Sequence, residues 1–103
     1  MAGQHEAAKR LLADFSVPSQ PGKERIAMLQ VADAVRPLGL ASDTVERLGT
    51  AVSEATLNAM EHGNRFEAER PVTVRVVASD TDVCVTIVDE GGARPIRQGR
   101  AGS

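Results

Sequence analysis

The stretch EATLNAMEHGN, from Glu54 to Asn64, decides how this 103-residue chain is interpreted. Its residues favour an α-helix, in which each residue turns by about 100° around the axis. Glu54 and Asn58 are four residues apart, so they lie only about 40° apart around that axis. A carboxylate able to accept a proton and an amide oxygen able to hold a hard cation would then share one face. The plain alternative is a solvated helix face, and asparagine weakens that alternative because it is a poor residue for a helix interior.

The helix that carries this stretch is predicted to begin near Ser42 and to end at Gly63-Asn64. One side of it is apolar, at Val45, Leu48, Val52, Ala55 and Ala59. This spacing is typical of a helix that packs against a core. The opposite side carries the polar row to which Glu54 and Asn58 belong.

Two valine-rich segments follow, at 71–78 and 82–89, and the residues between them predict a β-hairpin. The second segment ends at Asp89, and Glu90-Gly91-Gly92 follow it directly. Asp and Gly are common turn residues, so this sequence alone predicts no more than a turn. After a buried strand, however, Asp89 would be held rigidly at the floor of a pocket, and glycines there would let the backbone approach a ligand closely.

The remaining segments predict the architecture. A first strand is expected at 10–17 and a first helix at 23–38, ahead of the helix and hairpin above. This order predicts an α+β fold in which helices cover one face of a mostly antiparallel sheet. We expect a flexible leader at 1–9, one domain at 10–92 and a flexible tail at 93–103. The tail arginines Arg94, Arg97 and Arg100 are most simply solubilising, with contact to phosphate as the alternative.

Composition excludes several classes of protein. A net charge of −2 and the absence of Trp and Tyr argue against a nucleic-acid partner. One cysteine, Cys84, cannot form an internal disulfide. No apolar run reaches the roughly 20 residues that span a bilayer, and no signal peptide precedes the domain, so a cytoplasmic protein is expected.

His62 at the helix end is favoured by the helix dipole without any function, and no Cys/His cluster predicts zinc.

Residues 48–64 resemble the N-box of the GHKL ATPase superfamily, in particular that of bacterial anti-sigma factor serine-protein kinases. Residues 88–92, VDEGG, resemble the first glycine box that follows the N-box. The resemblance covers about residues 10–92. It implies a Bergerat-type two-layer sandwich that binds ATP and Mg²⁺.

The resemblance also implies roles for individual residues. Glu54 would be the general base and Asn58 the Mg²⁺ ligand. Asp89 would accept a hydrogen bond from the adenine amino group, and Gly91 would line the pocket. We also expect His62 to be one of the residues that bind the nucleotide. The implied substrate is a serine or threonine of an anti-anti-sigma protein, and the released kinase would hold a sigma factor. A homodimer is left open.

The chain departs from the family pattern in two places. Ala93 stands where a further glycine is usual, and the sequence ends at Ser103, before the ATP lid and the second glycine box. The C-terminal part of the fold is therefore expected to be reduced. Two functions stay open on this basis: an ATP-dependent serine/threonine kinase, or a non-catalytic module of the same fold that binds a sigma factor or an anti-anti-sigma protein. A third alternative is an unrelated α+β domain with a chance match.

Overall fold

A computed structural model describes residues 8–100 of the chain. Strand β1 spans Arg10–Val17, helix α1 Glu24–Val35 and helix α2 Ser42–Asn58. A 3₁₀ turn, Arg36–Leu38, ends the first helix, and a π-helical turn, Ala59–Gly63, extends the second. Strands β2, β3 and β4 span Val72–Ala78, Asp82–Asp89 and Gly92–Gly99. Neither helix within the described residues has the length and apolar content needed to cross a bilayer.

The four strands form one sheet in the order β1-β2-β3-β4, and every neighbouring pair is antiparallel. Alternate residues of β2 and β3 are buried, among them Val74, Val76, Val85 and Ile87. Because successive side chains of a strand point to opposite faces, this alternation means that helices cover one face only. The predicted α+β architecture, with two helices on one face of an antiparallel sheet, is confirmed.

The two helices lie over the sheet in the same order as the strands. Helix α1 contacts β1 and β2, whereas α2 contacts β3 and β4. Val31 and Val35 of α1 and Leu48 and Val52 of α2 are buried in the shared core. Gly39 ends the 3₁₀ turn with φ 68°, a left-handed conformation that glycine adopts without strain. The connection that follows lets α2 return beside α1 over the other half of the sheet.

The prediction of a flexible tail at 93–103 is wrong for residues 93–99, because these residues belong to β4. Their pairing with β3 runs from Val88–Ala93 to Asp82–Gly99. The strand is mostly polar, and its only large apolar residue, Ile96, packs on the core. Proline usually interrupts a strand, but within the described residues β4 is the last strand of the sheet, and an edge strand tolerates proline. Residues 1–7 of the expected leader and 101–103 of the tail lie outside the described residues.

Candidate functional site

Helix α2 turns its polar row away from helix α1. Gly49 marks the side that faces α1, since a Cβ placed there would lie 3.1 Å from Cγ of Met28. Asn58 comes nine residues later, so it lies about 180° around the helix from Gly49. Glu54 lies about 140° around from it, and both residues are exposed. Because α2 lies over β3 and β4, this side of the helix overlooks the β4 edge of the sheet.

The end of α2 widens into a π-helical turn, a feature that often marks functional sites. The amide of Asn64 donates to the carbonyl of Ala59 at 2.9 Å, and that of Phe66 donates to the carbonyl of Met60 at 2.7 Å. These bonds end the helix and bring Gly63 against strand β3. His62, one residue earlier, is exposed beside the same strand end.

The Asp89 carboxylate is fixed by the turn that follows it. Its Oδ1 accepts the amides of Gly91 and Gly92 at 2.6 and 2.9 Å. Gly63 lies directly against the same group, because a Cβ at residue 63 would be 2.2 Å from Cγ of Asp89. Only glycine therefore fits at position 63 with the carboxylate in this place. Among the described residues, Oδ2 of Asp89 has no hydrogen-bond partner, so it remains free to accept a bond from a ligand.

A cleft of about 280 Å³ opens at this point, lined by His62, Gly63, Asp89 and residues 91–94. Three of the predicted site residues, His62, Asp89 and Gly91, thus come together. Ligand pockets for drug-sized molecules begin near 300 Å³, so the cleft has room for a base and part of its sugar but not for a whole nucleoside triphosphate. The triphosphate would have to extend beyond it.

The structure does not bring Glu54 into this cleft. Glu54 lines a separate open groove along α2 with Arg47 and Thr50. At 1.5 Å per residue, Asn58 and Glu54 lie about 6 Å and 12 Å before His62 along the helix axis. The polar row therefore leads away from the cleft, with Asn58 between the cleft and the groove of Glu54.

The sequence predicts Asn64 only as the end of a helix, but in the structure its side chain joins two parts of the site. It is fully buried, and its Nδ2 donates to Oγ of Ser19 and to the carbonyls of Arg70 and Pro71 at 3.0, 2.7 and 3.2 Å. Its Oδ1 accepts the amide of Glu90 at 2.9 Å. One amide group thus joins the segment after α2 to the turn that holds Asp89. A lone polar residue after a helix gives no signal of this role.

The residues present fit an adenine nucleotide better than they fit a metal ion alone. A fixed carboxylate with a free oxygen, in a cleft with glycines on its walls, suits a flat base that carries an amino group. Among residues 8–100 no three His, Cys, Asp or Glu side chains meet as a metal site. Asn58 offers one oxygen, so Mg²⁺ held there would take its other ligands from phosphate and water, as Mg²⁺ commonly does.

Comparison with known proteins points in the same direction. The model of the histidine kinase-like ATPase domain family matches residues 17–102. The serine-protein kinase RsbW of Bacillus subtilis is 31% identical over 78 residues, which cover 76% of this chain and 49% of RsbW. The anti-sigma F factor of the same organism is 37% identical over 78 residues, 76% of this chain and 52% of that factor. The chain spans about half the length of the curated relatives that it matches.

Proposed function

The chain belongs to the histidine kinase-like ATPase superfamily, within its anti-sigma factor serine-protein kinase family, and we propose that it binds ATP in the cleft beside Asp89. The single observation that carries this proposal is the fixed Asp89 carboxylate at the wall of that cleft, held by two backbone amides. The adenine amino group would donate to the free oxygen of Asp89. The phosphates would leave the cleft along α2, toward Asn58 and Glu54.

In this arrangement Asn58 would hold Mg²⁺ through its side-chain carbonyl oxygen, and the ion would neutralise charge on the phosphates. Glu54 would accept the proton of a serine or threonine hydroxyl as that oxygen attacks the γ-phosphorus. The bond from the γ-phosphorus to the bridging oxygen would break, and ADP would leave. Catalysis of this kind depends mainly on positioning and on charge neutralisation.

We propose as substrate a serine or threonine of an anti-anti-sigma protein, with a sigma factor as the second partner. Support comes from the names of the relatives, a serine-protein kinase and an anti-sigma F factor. The chain would then regulate transcription in the cytoplasm without touching DNA itself.

A second function, a non-catalytic module that binds the same partners, is favoured by one observation. Glu54 lies in a groove separate from the cleft that holds Asp89. A module of this kind would bind its partner whether or not residue 54 can accept a proton.

Calorimetric titration with ATP and Mg²⁺ tests the nucleotide site. Asp89→Asn keeps an oxygen for the Gly91 and Gly92 amides but removes the charge, so we expect ATP affinity to fall at least about tenfold. Asp80→Asn, in the exposed turn between β2 and β3, is the matched control and should bind like the wild type. Unchanged affinity in Asp89→Asn would overturn the proposed site.

Transfer of labelled phosphate from ATP to an anti-anti-sigma protein separates the two functions. For a kinase, Glu54→Gln should abolish transfer and leave ATP binding intact, because Glu54 acts on the hydroxyl and not on the base. Partner binding and regulation that survive Glu54→Gln, with no transfer by the wild type either, would favour the module.

A further inference from the structure

Strand β4 and the residue after it carry three arginines, and the structure gives them three different surroundings. Arg97 pairs with Cys84, which alternates with the buried Val83 and Val85 and so lies on the face of the sheet opposite α1 and α2. Arg100 donates to the carbonyl of Ser79 at the far end of the sheet. Only Arg94 lines the cleft that holds Asp89.

The pairing of β4 with β3 determines the face of the sheet on which Arg94 lies. It pairs directly with Ile87, which is 1% exposed in the core. Directly paired residues of an antiparallel ladder project on the same face. Arg94 therefore stands on the helix-covered face of the sheet, and it is exposed there.

Arg94 and Asn58 have comparable positions along β4 and α2, counted from the end of the sheet at which the cleft opens. Arg94 is two residues beyond Gly92, about 7 Å along the strand from the turn beside Asp89. Asn58 is about 6 Å along the helix from His62, which lines the same cleft. Counted along their own elements, the two residues are thus at similar distances from the residues that line the cleft end.

Arg94 also differs in its ion pairing from several other arginines of the described part of the chain. Among residues 8–100 it forms no ion pair, whereas Arg36, Arg70 and Arg75 each do. It forms no ion pair with the Asp89 carboxylate either, whose Oδ1 accepts the amides of Gly91 and Gly92. A guanidinium presents a planar fork of donors that matches the oxygens of phosphate.

We propose that Arg94 binds the phosphate chain of the nucleotide, from the β4 wall opposite Asn58. This inference rests on the proposed function, since it needs the base to be bound at Asp89. Arg94, which lies in strand β4 just after the first glycine box, would then neutralise negative charge on the phosphates.

The test compares Arg94→Gln with Arg97→Gln, a matched loss of one arginine from the opposite face of the same strand. Each variant and the wild type are titrated with adenosine, AMP, ADP and Mg²⁺-ATP by calorimetry. We expect Arg94→Gln to weaken ATP binding by about 10- to 100-fold, the effect of losing hydrogen bonds between charged groups. Adenosine should bind Arg94→Gln as it binds the wild type. Arg97→Gln should match the wild type with every ligand.

Salt adds a second readout. Raising KCl should weaken ATP binding to the wild type more than to Arg94→Gln, because screening acts on the charge pair that the variant lacks. Arg94→Lys should recover part of the affinity, since it restores the charge without the planar fork. Thermal unfolding of each variant confirms that the fold is unchanged.

Each outcome has a distinct meaning. If the wild type binds ATP and Asp89→Asn does not, but Arg94→Gln binds ATP like Arg97→Gln, the Arg94 proposal fails and the nucleotide site stands. An equal loss of adenosine and ATP in Arg94→Gln would also overturn it, because Arg94 would then act on the base. If the folded wild type binds none of the four ligands, the proposed function fails and the Arg94 proposal fails with it.

Discussion

The contact between Gly63 and Asp89 predicts that Gly63→Ala destabilises the protein, against the ordinary preference for alanine in helices. A Cβ at residue 63 would lie 2.2 Å from Cγ, 2.3 Å from Oδ2 and 2.6 Å from Oδ1 of Asp89. Ordinary contact begins near 3.4 Å, so the carboxylate would have to move by the difference, about 1.2 Å. A movement of that size breaks the bonds of 2.6 and 2.9 Å from Gly91 and Gly92.

The size of the effect follows from these two bonds. Both bonds are exposed to water, so each is worth about 1–1.5 kcal/mol, and the loss of the two costs about 2–3 kcal/mol. Alanine in place of glycine returns up to about 1 kcal/mol in a helix. The net loss of about 1–2 kcal/mol should lower Tm by roughly 4–16 °C in a domain of this size. ATP affinity should fall as well, because Asp89 no longer holds its position.

Thermal unfolding followed by circular dichroism measures the change, with Gly49→Ala as the matched control. A Cβ at residue 49 meets only the flexible side chain of Met28, at 3.1 Å, so that variant should keep or raise Tm. In a double-mutant cycle, Asp89→Ala should remove most of the penalty of Gly63→Ala. A Tm for Gly63→Ala equal to that of the wild type or above it would refute the close contact.

Three further predictions concern stability and order. Asn64→Ala should lower the free energy of unfolding by about 2–4 kcal/mol, because it removes the bonds of the buried Asn64 amide to the buried Ser19 hydroxyl and to the Glu90 amide; urea unfolding measures this, and a loss below 1 kcal/mol would contradict it. Thr56→Val should stabilise the protein by about 1 kcal/mol in the same assay, because Oγ1 of Thr56 is buried without a hydrogen-bond partner among residues 8–100 and valine keeps its shape. Backbone amides of β4 that donate to β3 should exchange slowly with deuterium, as they do in a paired strand, and exchange at the rate of an unfolded peptide across 93–98 would refute β4.

Much of the fold could be predicted from the sequence because its elements carry regular patterns. Val45, Leu48 and Val52 recur at helical spacing, and the valines of 72–78 and 83–87 alternate, so burial on one side selects helix or strand without ambiguity. These patterns also identified Asp89 as the end of a buried strand, at the position where the structure forms its cleft.

What the sequence could not show is set by tertiary contacts. Strand β4 has a single large apolar residue on its core side, Ile96. One such residue cannot produce the alternation of apolar and polar positions by which a strand is recognised in a sequence. The role of Gly63 depends on the distance to Asp89, which is 26 residues away in the chain. The role of Asn64 likewise comes from partners at Ser19 and Glu90 that only the folded chain brings near.

The order of the strands also determines the order of folding events. Strands β2, β3 and β4 are joined by turns of three and two residues, 79–81 and 90–91, so their pairing closes only short loops. Strand β1 pairs with β2 across roughly 50 residues, and closing so long a loop costs more entropy. We expect the β2–β4 meander to form early and β1 to dock late, so substitutions in β1 should speed unfolding more than they slow folding. During synthesis the docking of β1 is delayed further, because β1 leaves the ribosome before β2, the strand with which it pairs.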